Sequence, residues 1–269
     1  MSNPSAPAID QGRVRELATR LIEARQLGVG IESLADELVP ATTAEANAVD
    51  DEVASLSGWP VLGWKIGCTS LHAQQLLGAD GPFAGRIYSV LADGAMVANA
   101  QLPAEPKLEG EFAFTMAETV EPAAERRDPA ALVGSIASVH AAIEVVGGRY
   151  AHFIGMPLNA LIADAGSNSL LVVGEAHADV APDDLVTRAA TMEVGGTITG
   201  QGTGADVLGD PLGVLAWLLG HLGERGITVA AGAIISTGTA TQVTDLGPGE
   251  TATATIDGLG RVSVNRAVE

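Results

Sequence analysis

Apolar residues recur at three- and four-residue spacing over residues 10–27. Val14, Leu17, Leu21 and Ile22 share one side of a helical wheel, with Arg13, Arg20 and Arg25 elsewhere. The spacing predicts a helix there. Residues 43–56 predict a second, opened by Thr43-Ala-Glu-Ala and closed by Gly58 and Pro60. The mixed stretch 29–40 between them predicts a short helical turn. After Pro60 the pattern shortens. Val61-Leu-Gly-Trp-Lys-Ile-Gly67 predicts an apolar strand, and 70–77 a short helix with a Ser cap.

Strand-like runs broken by Pro103 and Pro106 follow over 95–120. Residues 129–140 predict a helix, 141–146 a strand, 158–163 a short helix and 169–174 a strand. Paired strands are expected over 187–199. A helix is expected over 210–225, with Asp210 as its cap, Pro211 in its first turn and Gly226 as its stop. A buried strand at 233–236 and a hairpin over 251–264, turning at Asp257-Gly258, complete the chain. Strands and helices do not alternate regularly, so the expected class is α+β with antiparallel or mixed sheets. The expected division is a helical N-terminal region, residues 1–59, joined to a catalytic domain, residues 60–269, as one structural unit.

Composition narrows the partners. The 269 residues carry 14 basic and 33 acidic side chains, a formal charge of −19. Such a chain repels phosphate backbones and anionic lipid, so neither nucleic acid nor a membrane is expected as a partner. Apolar residues make up 47%, enough for a folded core, and aromatics only 3%, leaving few stacking platforms. The single cysteine, Cys68, forbids a disulfide within the chain and reads as a small buried thiol. Met1-Ser-Asn-Pro-Ser5 has neither the basic nor the apolar part of a leader, so no signal peptide is expected, and the single cysteine makes a reducing cytoplasm the expected location. The longest apolar stretch, 211–222, is interrupted by Gly213, Gly220 and His221 and is shorter than the roughly 20 residues a bilayer requires.

The densest candidate chemistry is Glu105-Pro-Lys-Leu-Glu-Gly-Glu-Phe-Ala-Phe114. On a strand, Glu109 and Glu111 project from one face. Like charges at such positions repel, and a divalent cation is one reason to tolerate them. Glu144, alone in the apolar run Ala141-Ala-Ile-Glu-Val-Val146, is the best candidate for a third ligand, since an unpaired buried carboxylate is costly. Three carboxylates form a hard oxygen site suited to Mg²⁺ or Mn²⁺. The alternative, a solvated strand face with Glu144 paired to an arginine, is equally open at this point. Only two of the basic residues are lysines, Lys65 and Lys107. Lys65, flanked by Trp64 and Ile66, is expected to be partly buried, which lowers its pKa and makes it a usable acid or base. A lysine snorkelling at a strand end is the plainer alternative. Lys107, between Glu105 and Glu109, reads as a charge balance for the acids.

Other chemistries find no support. Thr199-Gly-Gln-Gly-Thr-Gly204 lacks the spacing and the βαβ setting of a dinucleotide fingerprint and reads as close backbone packing. There is no phosphate loop, no G-x-S-x-G and no zinc pattern. His72, His140, His152, His177 and His221 read as surface or capping residues.

Taken in order, several of these segments resemble the 2-keto-4-pentenoate hydratase / 4-oxalocrotonate decarboxylase family of the fumarylacetoacetate hydrolase superfamily. The anchors are Gly63-Trp-Lys-Ile-Gly-Cys-Thr-Ser70, Leu77-Gly-Ala-Asp80, Glu105 to Phe114, Ala142-Ile-Glu-Val-Val146, Thr199 to Gly204 with Leu208-Gly-Asp-Pro211, and Ile234-Ile-Ser-Thr-Gly238. The resemblance runs from about residue 10 to the end. It implies a mixed β-roll or sandwich behind the helical N-terminal region and a Mg²⁺ or Mn²⁺ ion on Glu109, Glu111 and Glu144. It also implies a catalytic Lys65 helped by Asp80, and Ser167, Thr237 and Gly238 as substrate-binding residues.

The implied activity is hydration of a small anionic 2-hydroxy-2,4-dienoate, or its 2-oxo tautomer, to a 4-hydroxy-2-oxo acid in meta-cleavage catabolism. Decarboxylation of a 4-oxalocrotonate-type acid is the alternative, and a non-catalytic subunit of a decarboxylase–hydratase complex a third. A homo-oligomer is implied, with a homologous decarboxylase or hydratase as a possible partner. Three departures fall near the implied pocket. Asp164-Ala-Gly-Ser167 stands for Asp-Asn-Ala-Ser, Gly147-Gly-Arg149 for Asp-Ser-Arg, and Gly232-Ala233 for Gly-Asp.

Overall fold

The computed structural model describes residues 9–123 and 128–268; the leader reading of residues 1–5 lies outside them. Most of the α-helices begin where a side chain takes free N–H groups. Asp10 accepts from Gly12 and Arg13 at 2.9 and 3.3 Å at the head of α1 (Gln11–Leu27). Thr42, one residue ahead of the expected start, accepts from Glu45 at 3.2 Å and opens α2 (Thr43–Ser57). Ser70 caps α3 (Leu71–Leu77), and α4 (Leu158–Ala163) follows Pro157. Asp210 caps α5 (Pro211–Glu224), with Pro211 at the first turn, where its missing N–H costs nothing.

Thirteen strands are described. They are β1 (Gly63–Gly67), β2 (Phe83–Ile87), β3 (Val90–Ala92), β4 (Ala95–Val97), β5 (Lys107–Met116), β6 (Ile136–Val146) and β7 (Asn168–Val173). The rest are β8 (Ala189–Val194), β9 (Thr197–Thr203), β10 (Ile234–Thr239), β11 (Thr244–Asp245), β12 (Thr251–Ile256) and β13 (Gly260–Arg266). The larger sheet runs β2-β1-β10-β5-β6-β7-β3, with β11 on the end of β5, and the smaller runs β4-β13-β12-β8-β9. Parallel pairs (β1 with β10, β3 with β7, β4 with β13) stand among antiparallel ones, so the sheets are mixed, as the pattern implied.

One expectation fails here. Residues 129–140 are not a single helix: a 3-10 turn covers Pro129–Ser135 and β6 has already begun at Ile136. Val139 and Ala141 are drawn into the core between the sheets and His140 faces away from it, the two-residue period of a strand. Tertiary burial outweighs the helix propensity of the alanines.

The two faces of the larger sheet have different work. Leu108, Phe112, Phe114 and Met116 of β5 and Val139, Ala141, Ile143 and Val145 of β6 point into the core shared with the smaller sheet and α5. The alternate residues point the other way. They meet a small apolar cluster of Ile87, Ala113, Ala142 and Leu171, beside a helical layer in which α1, α2 and α4 pack around Phe83, Cys68 and Tyr150. Glu109, Glu111, Glu144 and Lys65 all belong to this second face. The thiol of Cys68 is buried, as expected, and burial pushes it up to about 11. Among the described residues no helix is long and apolar enough to cross a membrane.

Candidate metal centre and active site

The register of β5 on β6 builds the site. Glu109 lies directly across from Glu144, and Glu111 is two residues further along the same face. One carboxylate oxygen from each of the three lies within 4.8 Å of the others. Glu111 and Glu144 are completely buried and Glu109 half-buried. No arginine pairs with Glu144 among the described residues. Its neighbours are Asn168, whose Nδ2 donates to Oε1 at 2.8 Å, and Lys65, whose Nζ is 3.4 Å from Oε2. Glu111 Oε2 accepts from the Ser236 hydroxyl and, at 2.9 Å, from the Gly238 N–H. Glu111 Oε1 and Glu144 Oε2 are buried without a hydrogen-bond partner. Carboxylate oxygens without hydrogen bonds on converging, completely buried side chains fit a hard divalent cation; Glu144 Oε2 is met only by the Lys65 ammonium, and leaving Glu111 Oε1 unmet is costly.

Electrostatics says the same. Burial, and then the charge of Glu144, push Glu109 up to about 7. Burial and the same neighbours raise Glu111 well above the usual carboxylate range. Lys65 corrects an expectation. Burial alone disfavours its ammonium, but Glu144, Glu109 and Glu111 outweigh it, and its pKa lies above the ordinary lysine value. Lys65 is thus held as a cation, with the Phe83 ring centroid 5.4 Å from Nζ. Its alternate neighbours Trp64 and Ile66 enter the core between the sheets, which turns Lys65 to the acidic face.

The remaining candidates are placed unequally. Thr237 is buried and donates to the Phe112 carbonyl at 3.0 Å, so its hydroxyl is already engaged. Gly238 contributes its N–H to Glu111. Ser167 is buried with an unpartnered hydroxyl, next to Asn168. Asp80 is exposed on the turn after α3, three residues before Phe83. Lys107 does not balance the three acids: it pairs with Asp245 of β11. His140 is no surface residue. It is buried, with Nε2 at 2.8 and 2.9 Å from Thr115 and Ser138 and Nδ1 at 3.1 Å from the Gly174 carbonyl.

The turn behind the site rests on a charged node. Arg149, the last residue of the Gly147-Gly-Arg departure, is buried against Asp164 and donates to the Asn168 carbonyl at 2.8 Å; Arg25 of α1 reaches the same carbonyl at 2.7 Å. Ala165 and Ser167 take left-handed φ values of 51° and 61° on this turn, as does Cys68 at 57° after β1. Each costs about 1–3 kcal/mol, and such strain persists where packing over-determines it. Asn168 was not singled out from the sequence, and Ser236 and Arg149 stood there only within family segments, without a role. The one local signal is a polar residue at the edge of an apolar strand, Ser-Asn-Ser before Leu170 and Ser-Thr after Ile235.

Comparison with known proteins gives a consistent picture. Residues 71–265 match the family model of the fumarylacetoacetate hydrolase C-terminal region. A 2-keto-4-pentenoate hydratase of Burkholderia vietnamiensis is 33% identical over 258 residues, 94% of this chain and 97% of that protein. A 4-oxalocrotonate decarboxylase of Pseudomonas putida is 30% identical over 261 residues, 95% and 97% of the two. The solved structure of a Pseudomonas putida 4-oxalocrotonate decarboxylase, complexed with magnesium and adipate, superposes with a TM-score of 0.86. It is 28% identical and covers 97% of this chain and 100% of that one.

Proposed function

Because the chain belongs to the fumarylacetoacetate hydrolase family, we propose that it is a lyase, a metal-dependent hydratase that converts a 2-hydroxypenta-2,4-dienoate-like acid into a 4-hydroxy-2-oxo acid. The observation that carries the reading is the convergence of Glu109, Glu111 and Glu144, with Glu111 Oε1 buried without a partner and the Lys65 ammonium against Glu144 Oε2. The relatives named hydratases support the substrate class.

Glu109, Glu111 and Glu144 would hold Mg²⁺ or Mn²⁺, which supplies a Lewis acid for the substrate's carboxylate and adjacent oxygen. Lys65, buried beside the acids, holds a proton at Nζ and delivers it to the far end of the diene as the dienol becomes the enone. With the three acids neutralised, the burial that opposes the ammonium favours that release. Water then adds in conjugate fashion at C4, and Lys65 and the exposed Asp80 exchange the protons with solvent. Ser167, whose hydroxyl has no partner, binds the substrate carboxylate, while Thr237 and Gly238, already engaged with the Phe112 carbonyl and with Glu111, shape the site around it. The protein works as a cytoplasmic homo-oligomer, with a homologous decarboxylase as a further partner.

Decarboxylation is the second reading, favoured by the TM-score of 0.86 to a decarboxylase. The same electron sink serves loss of CO₂ without activating water. Incubation with 2-hydroxypenta-2,4-dienoate and with 4-oxalocrotonate, each with Mg²⁺, separates the two. Loss of diene absorbance without CO₂ supports hydration, and CO₂ from oxalocrotonate supports decarboxylation. Absence of both reactions overturns the proposed activity.

A further inference from the structure

The two completely buried acids carry clamps of the same design. Glu144 has Oε1 committed to Asn168 Nδ2 at 2.8 Å, while Oε2 has no hydrogen bond. Glu111 has Oε2 committed to the Ser236 hydroxyl and the Gly238 N–H, while Oε1 has none. In each carboxylate one oxygen is held by hydrogen bonds from the protein and the other has none, although Glu144 Oε2 faces the Lys65 ammonium at 3.4 Å. The clamp on Glu144 is itself anchored. Asn168 is completely buried, and Arg25 and Arg149 hold its backbone carbonyl at 2.7 and 2.8 Å. Arg149 is tied in turn to Asp164. The Asn168 side chain therefore springs from a backbone that cannot shift without unpairing buried charge.

Which oxygens are free decides which ion fits. Ca²⁺ takes roughly 6–8 oxygens in flexible geometry and commonly chelates both oxygens of a carboxylate, whereas Mg²⁺ demands near-octahedral geometry at about 2.0–2.1 Å. A carboxylate with one oxygen held by N–H or O–H donors is fixed in orientation, and that oxygen, with part of its lone-pair density engaged, is the poorer ligand of the two. We infer that Asn168 and Ser236 are positioning residues that fix Glu144 and Glu111 so as to favour coordination through one oxygen each, which makes the site prefer a small six-coordinate ion to Ca²⁺. This rests on the metal reading above and deepens it. Without Asn168, Glu144 can turn both oxygens toward the ion. A small ion then loses a preset ligand, while Ca²⁺ recovers part of the loss through the second oxygen.

The test uses the full chain stripped of metal. Mn²⁺ binding is read from the electron paramagnetic resonance signal of free Mn²⁺, and Ca²⁺ binding from its competition. Asn168→Ala is expected to weaken Mn²⁺ binding by about 10–100-fold, the usual scale for an outer-shell partner, and Ca²⁺ binding by less than about threefold. Asn168→Ser, which keeps a polar group in the buried turn, serves if the alanine protein does not fold. Asn159→Ala, which removes a side-chain bond to the Pro40 carbonyl at 3.1 Å away from the acids, should leave both affinities unchanged. Equal losses for the two ions, or unchanged Mn²⁺ binding, overturn the inference alone. A wild-type chain that binds neither ion overturns the metal reading and the inference with it.

Discussion

Lys65 Nζ lies 3.4 Å from Glu144 Oε2, the oxygen of that carboxylate that no hydrogen bond occupies. The cation and the candidate ligand are both buried, so each compensates the other's desolvation. The ammonium offers protons and no lone pair, which makes Lys65 a neighbour of the ion site and not one of its ligands. Lys65→Ala is therefore expected to lower kcat by about 10²–10⁴-fold, the range for losing a positioned acid or base. Mn²⁺ binding should survive. Steady-state kinetics on the dienoate, paired with a Mn²⁺ titration, checks both halves. A near-wild-type kcat removes Lys65 from the chemistry.

Glu109, pushed up to about 7, and Glu111, raised well above the usual carboxylate range, hold protons in the folded chain at pH values where an unfolded glutamate has lost them. The folded state binds the excess protons between the unfolded value near 4.5 and about 7. The stability this contributes is fully present below the unfolded value and is lost as pH rises through the folded one. Ion binding runs the other way, because protons and metal compete for the same oxygens. The Tm of the metal-free protein should fall as pH rises from about 5 to 8, while the upward shift produced by Mn²⁺ grows. Glu109→Gln with Glu111→Gln should flatten both slopes. Slopes identical to the wild type would contradict the assignment.

Arg149 and Asp164 form a buried pair with side chains 7% and 4% exposed, and the Arg149 N–H also donates to Asp164 Oδ2 at 2.6 Å. Removing one partner strands the other's charge in the interior. Arg149→Met should cost about 3–5 kcal/mol, read as a lower urea midpoint at unchanged slope. Arg149→Lys should restore little, because the forked guanidinium meets Asp164 and the Asn168 carbonyl together. A loss for Arg149→Met below about 1 kcal/mol, the scale of an exposed ion pair, would show the node to be solvated.

Gly238 has φ +96° and passes so close to Thr69 that an added Cβ would lie 2.0 Å from its Oγ1. Gly238→Ala must shift the strand, and the N–H bond to Glu111 goes with it. Mn²⁺ affinity is expected to fall by about tenfold or more. Gly58→Ala, also at a left-handed φ but with nothing within 4 Å of its Cβ, controls for backbone strain and should keep the affinity. Equal affinities in the two variants would contradict the role given to the Gly238 N–H.

The acids of the site were legible because a strand's alternation is local. Glu109 and Glu111 share a face by the two-residue period, and Glu144 stood out as the one charge in an apolar run. Their convergence depends on the pairing of β5 with β6, which that period does not specify. The lysine was found for the right surroundings and given the wrong shift, because its burial was visible in Trp64 and Ile66 while its three acidic neighbours come from other strands. Strand β2 was missed altogether. Arg86 within it looks exposed, yet it is buried against Asp50 of α2 and over the Trp64 ring. Asn168 and Ser236 act across 24 and 125 residues of sequence, on carboxylates no local pattern connects to them.

The most direct measurement is activity on 2-hydroxypenta-2,4-dienoate after exhaustive EDTA treatment and re-addition of metal. The account predicts that the stripped protein leaves the diene absorbance unchanged and that Mg²⁺ or Mn²⁺ restores its loss. It predicts no restoration in a Glu111→Gln, Glu144→Gln double variant. Full turnover by rigorously metal-free wild-type protein would contradict it.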